Sequence, residues 1–191
     1  MAPQPETLMA VRRKYIRELV ERILDEHEIQ PGYVDAELIA QYFGANVVRH
    51  PAADELSGFL MRNYESQVSI IGVNPTHSLT RQHFTIAHEL GHLLLHEGDK
   101  MHIDRSGYGW RFRRQEEQPD ARPSDEEQEA NLFAAELLMP KRFLDAEMSA
   151  ILSSDFLSDT LDSVLEPLAK RYGVSTQALT FRLSYLGYIE L

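Results

Sequence analysis

The sequence contains no cysteine. That absence excludes disulfides and any thiolate metal site. It also lacks an apolar run long enough to cross a membrane and a recognisable secretory leader. The early part of the chain is charged instead (Arg12, Arg13, Lys14, Glu18, Glu21), and a cytoplasmic location is the expectation. Positive charge is scarce: 19 Lys and Arg against 30 Asp and Glu leave a net charge of −11. Such a balance argues against broad binding to nucleic acid or to anionic membranes. At 191 residues the chain fits one domain, or one plus a small appendage, with enough length to bury a sizeable core.

What the sequence does have is His88-Glu89-Leu90-Gly91-His92, set in the apolar stretch from Phe84 to His96. Residues four apart share one face of an α-helix, so His88 and His92 can offer imidazole nitrogens to one metal ion. Glu89 follows the first His and is placed to take a proton from a water molecule that the metal activates. Two histidines on a leucine- and alanine-lined helix face would be costly to bury without a partner. The pattern predicts zinc, one ion per chain, and peptide hydrolysis.

Catalytic zinc usually takes three protein ligands. His96 is excluded as the third, because it lies about 12 Å along the helix axis from His88. A carboxylate is the remaining common choice, and residues 124–139 supply candidates. This segment reads as a second helix, starting near Ser124 and ending before Pro140, with acidic residues in its first turns that suit the helix dipole. Glu127 shares a face with Ala130, Asn131, Ala134 and Leu138, and the alanines would let this helix approach the first one closely. Glu127 is the first choice as ligand, with Glu129 and Glu126 as alternatives. Asn131, one turn on, is placed to orient a ligating His.

These two helices, together with Leu137-Leu138-Met139-Pro140, resemble the ImmA/IrrE family of intracellular zinc metallopeptidases. The resemblance extends upstream to Leu56-Ser57-Gly58-Phe59-Leu60 and Ile70-Ile71-Gly72-Val73-Asn74, and downstream to residues 168–175. It implies an α+β fold: a gluzincin-like metallopeptidase domain with a small β-sheet, a zinc-binding helix pair and a C-terminal helix-turn-helix-like region. It also implies a site of His88, His92 and a Glu of the second helix, with Glu89 as base. The implied substrate is a helix-turn-helix repressor, cleaved to release phage, mobile-element or stress-response genes. Longer relatives carry a further C-terminal sensor domain for which this length leaves no room.

Elsewhere the periodicity predicts an amphipathic helix over residues 6–27, with Val11, Tyr15, Leu19, Val20 and Ile23 on one side, and a short helix over 35–42. Strands are expected at 47–48, 58–62 and 68–73, the last two pairing as a hairpin, and Thr80 as the N-cap of the metal helix. Strands before a zinc helix suggest a sheet edge to which a substrate peptide adds. Residues 98–123 read as an irregular loop holding Tyr108, Trp110, Arg111, Arg113 and Arg114; its acidic residues balance the arginines, which favours a solvated loop over a substrate-contacting lid. Residues 1–140 would hold the N-terminal helices, sheet and peptidase core, and residues 141–191 a helical region packed on it.

The stretch 168–179 has the Gly-centred turn of a helix-turn-helix, with Ser175 capping the second helix and Gln177, Thr180 and Arg182 as candidate groove-facing residues. On so acidic a chain an αα-hairpin packed on the peptidase is the stronger expectation. Two rival functions stand beside peptide hydrolysis: a metal-stabilised anti-repressor that binds without cutting, and a DNA-binding regulator.

Overall fold

A computed structural model of the protein describes residues 11–54, 56–63, 68–97, 101–104 (as backbone), 124–153 and 161–190. Among them are seven helices and four strands: α1 (Arg13–Glu26), α2 (Ala36–Tyr42), β1 (Ala45–Arg49), β2 (Gly58–Met61), β3 (Ser69–Val73), α3 (Leu79–Leu95), β4 (Met101–Asp104), α4 (Asp125–Leu138), α5 (Lys141–Ser153), α6 (Leu161–Tyr172) and α7 (Thr176–Tyr185). The architecture is mixed α+β.

The strands form one sheet in the order β1-β3-β2-β4. β2 and β3 pair antiparallel, Gly58 opposite Val73 and Met61 opposite Ile70, as expected of residues 58–73. β1 runs parallel to β3 on its other side. It is longer than the expected 47–48, because its ladder starts at Ala45 opposite Ser69. β4 corrects the reading of 98–123 as wholly irregular: it pairs antiparallel with β2 and forms the sheet edge opposite β1. Tyr108, Trp110 and the arginines Arg111, Arg113 and Arg114 lie outside the described residues.

α3 is the central element, packed against β2, β3, α2 and α4. Its residues are buried on nearly every side, which explains why its apolar pattern is continuous rather than a single stripe. The cap at its start is Ser78, whose hydroxyl accepts from the Arg81 N–H; Thr80, the expected cap, lies inside the first turn. At its other end Arg62 donates to the carbonyls of His92 (2.7 Å) and His96 (3.1 Å), and Arg12 to that of Leu95 (2.9 Å). Two cations thus hold carbonyls at the end of α3, including those of Leu95 and His96, which lie beyond the reach of the intrahelical ladder.

α1 begins at Arg13, and its buried stripe is Ile16, Val20, Ile23 and Leu24. Tyr15, expected on that stripe, is exposed and lies under the Arg12 guanidinium at 5.6 Å. One hydrophobic cluster runs from Ile16 of α1 through the sheet and α3 to Leu183 of α7. The C-terminal helices are therefore built into the same core as α3. His83 of α3 strengthens that connection, its Nε2 2.7 Å from the Val34 carbonyl and its Nδ1 3.1 Å from that of Gly173, in the turn between α6 and α7. Ser175 caps α7 by accepting from the Ala178 N–H.

Arg182 does not face outward. It is fully buried, donating to Glu136 Oε1 (3.1 Å) and Oε2 (2.5 Å) and to the Met139 carbonyl (3.1 Å). It therefore cannot read a DNA groove from this position. Its charge is neutralised inside the protein by a carboxylate of α4, an element remote in sequence that no spacing argument within α7 could reveal.

Candidate metal centre

The two helices meet where α3 has no side chain. A Cβ on Gly91 would lie 3.1 Å from Ala130 Cα and 3.1 Å from Phe133 Cδ1, so glycine here lets α4 come within backbone distance of α3. Ala130 and Ala134 complete the close approach from the α4 side. The contact puts Glu127, in the first turn of α4, over the face of α3 that carries His88 and His92.

His88 Nε2 lies 3.1 Å from His92 Nε2, Glu127 Oε2 lies 3.4 Å from the first and Glu127 Oε1 3.2 Å from the second. Donor atoms bonded tetrahedrally to one zinc at roughly 2.0–2.1 Å would sit about 3.3–3.4 Å apart. The three separations, two of which end on different oxygens of the Glu127 carboxylate, lie within about 0.3 Å of that spacing. The other nitrogen of each ring is also engaged: His88 Nδ1 is 3.1 Å from Asn131 Oδ1, and His92 Nδ1 is 3.2 Å from His96 Nδ1. An amide oxygen only accepts, so this contact suits the tautomer with the proton on Nδ1, the one that leaves Nε2 able to ligate. Two imidazoles and a carboxylate converging in this way form a donor set that fits a divalent cation. Both histidines are buried and Glu127 is only partly exposed.

Glu89 is fully buried on the turn that carries His88. β2 passes beside it: a Cβ on Gly58 would come within 3.7 Å of Glu89 Oε1 and would collide with Thr85 Cγ2 at 2.4 Å and the Gly72 carbonyl at 2.6 Å. Glycine at the start of β2 is thus what lets the sheet lie against α3 next to Glu89.

The alternative ligands sit elsewhere. Glu126 is exposed. Glu129 is buried and faces His96 and Arg12, with its Oε2 3.1 Å from His96 Nε2 and 2.6 Å from Arg12 Nη2. Burial opposes charge on Glu129, but the hydrogen bonds from the Arg12 side chain and main chain and from His96 outweigh it and hold the carboxyl down at about 2. Spacing excludes His96 as a ligand without giving it a role, and places Glu129 only as a substitute ligand. A signal for His96 is nevertheless present in the sequence: it lies four residues beyond His92, on the same face.

Fold and donor set together define a metallopeptidase-like domain. The family model described as the IrrE N-terminal-like domain, a peptidase family, matches residues 40–184, and the chain belongs to that family. No curated protein matches the sequence. Among solved structures, the chain is similar to a Mycobacterium tuberculosis transcriptional regulator, at 20% identity and a TM-score of 0.56 over 90% of this chain. It covers 46% of that protein, so it spans less than half of its relative's length. That likeness is one of fold.

Proposed function

We propose that this chain is a zinc-dependent endopeptidase that cuts a helix-turn-helix transcriptional repressor and so releases the genes it silences. The observation that carries the reading is the triangle of His88 Nε2, His92 Nε2 and the Glu127 carboxylate, with edges of 3.1, 3.4 and 3.2 Å, beside the buried Glu89. His88, His92 and Glu127 are the ligands in this account. A zinc ion held there would activate water and polarise the scissile carbonyl. Glu89 accepts the proton from the attacking water and passes it to the leaving amine. Asn131 and His96 lie against the outer nitrogens of the two imidazoles and leave their inner nitrogens turned toward the metal position. A gluzincin-like site has this composition: two histidines one turn apart and a glutamate from a second helix.

The substrate class rests on the family resemblance. The mycobacterial protein of like fold is named as a transcriptional regulator, and a repressor substrate places this chain in a comparable setting, in the cytoplasm with the DNA. No described helix is long and apolar enough to cross a membrane, in keeping with such a substrate. Among the described residues β1 and β4 are the outer strands of the sheet, the positions a substrate peptide would join as an added strand.

The test is to incubate zinc-loaded protein with the helix-turn-helix repressor encoded beside it, using wild type and Glu89→Gln. Wild type is expected to yield two defined fragments, and Glu89→Gln to bind one zinc and leave the repressor intact. Cleavage by Glu89→Gln at the wild-type rate would remove Glu89 from the chemistry. Stable binding by wild type without fragments would favour the anti-repressor that binds and does not cut.

A further inference from the structure

The proposed metal centre, on which this inference rests, is the inner tier of a longer chain of hydrogen bonds. His92 turns Nε2 toward His88 and Glu127, and its Nδ1 lies 3.2 Å from His96 Nδ1. His96 Nε2 in turn lies 3.1 Å from Glu129 Oε2. Glu129 accepts from the Arg12 main-chain N–H at 2.7 Å, from Arg12 Nε at 3.0 Å and from Arg12 Nη2 at 2.6 Å. The side chains of His96 and Glu129 are 6% and 5% exposed, so little water reaches the bond between them.

With a cation on His92 Nε2, the chemistry of the groups gives each proton in this chain one direction. An imidazole that gives its Nε2 lone pair to a cation keeps its proton on Nδ1, so His92 donates to His96. His96 accepts at Nδ1, carries its own proton on Nε2 and donates it to Glu129. The carboxylate cannot donate back, and Arg12 supplies only donors. One carboxylate therefore sets the tautomer of two successive rings. Ligating histidines commonly have a carboxylate or carbonyl directly behind them. Here the carboxylate acts through an intervening imidazole, that of the residue capping the end of α3.

We propose that His96 and Glu129 are positioning residues of the metal centre, which hold His92 in the ring orientation and tautomer that a metal requires, and that Arg12, just before α1, locks Glu129 in place. The two ligating histidines are thus supported unequally. His88 leans on the Asn131 amide, whereas His92 is backed through His96 by the buried Glu129 carboxylate.

The test is zinc affinity, measured by competition with a chromogenic chelator on wild type, His96→Leu, His96→Gln, Glu129→Gln and Arg12→Ala. Melting of each metal-free protein and the visible spectrum of each cobalt(II) form accompany it. His96→Leu and Glu129→Gln are expected to weaken zinc about 10- to 100-fold and to alter the cobalt spectrum. His96→Gln, whose amide can accept from His92 and donate to Glu129, is expected to recover most of the loss. Arg12→Ala should lie between wild type and Glu129→Gln. Zinc affinity within about twofold of wild type in folded His96→Leu would overturn the relay. Should His96→Leu not fold, Glu129→Gln, which keeps the side-chain shape, decides by the same criterion. A wild type that takes up no zinc would overturn the metal-centre reading and this inference with it, whereas normal zinc binding throughout the series overturns the relay alone.

Discussion

Substituting Glu136→Leu strands the Arg182 guanidinium in the interior. The two side chains are 2% and 0% exposed, and two of the three hydrogen bonds that Arg182 makes go to the Glu136 carboxylate. After the substitution the Met139 carbonyl is the partner that remains from this set. Removing one member of a buried ion pair costs about 3–5 kcal/mol, because a charge is left without compensation or water. At about 2–4 °C per kcal/mol for a chain of this length, the melting temperature should fall by roughly 6–20 °C. Arg182→Met is expected to cost less, since Glu136 keeps the half-exposed Arg17 at 3.4 Å. Replacing the pair together, Glu136→Leu with Arg182→Met, should come back to within about 1 kcal/mol of wild type, as apolar replacements of buried ion pairs often do. Urea unfolding followed by circular dichroism measures all three. Loss of less than about 1 kcal/mol in Glu136→Leu would refute the reasoning and would reopen α7 as a helix able to turn Arg182 outward.

Gly91→Val places methyl groups against Ala130 and Phe133, where even one Cβ lies at 3.1 Å; it should cost about 1–3 kcal/mol and weaken zinc by pushing α4 away, and melting at the wild-type temperature would contradict this. Burial pushes the Tyr172 phenol up to about 12, with Glu147 adding to the effect and Arg171 opposing it. Because the folded value lies above the ordinary value of about 10, the associated stability is complete below that pH and disappears as pH rises through the folded value, by up to about 3 kcal/mol. Tyr172→Phe should remove that alkaline step, and at neutral pH it should match or exceed wild type by about 1 kcal/mol, since the buried hydroxyl has no hydrogen-bond partner among the described residues. Unfolding midpoints measured at neutral and alkaline pH check both statements; an alkaline step that persists in Tyr172→Phe assigns it to another group.

The parts of the site that the sequence reveals are those governed by helical phase. His88 and His92 are one turn apart on one helix, and Glu127 is separable from Glu126 and Glu129 because Ala130 and Asn131 mark the face that meets α3. The same phase argument places Asn131, which the structure puts 3.1 Å from His88 Nδ1. The hairpin of β2 and β3 is legible because its strands are local and rich in β-formers. The features hidden from the sequence depend on partners distant in the chain. Arg12 meets Glu129 across 117 residues, and Arg182 meets Glu136 across 46. The spacing within either element contains neither encounter. β4 escapes notice for a related reason: four residues are too few for alternation to register, and its ladder is set by β2. Ser78 and Thr80 are both good caps two residues apart, and only the hydroxyl that reaches the Arg81 N–H distinguishes them.

Peptide hydrolysis by this chain depends first on a metal centre built from His88, His92 and Glu127, as proposed above. Elemental mass spectrometry of purified wild type and Glu127→Ala, after supply of zinc and removal of loosely bound metal, tests it most directly. About one zinc per chain is expected in wild type and little or none in the variant. A wild type without metal, or a Glu127→Ala that keeps a full equivalent, would contradict it.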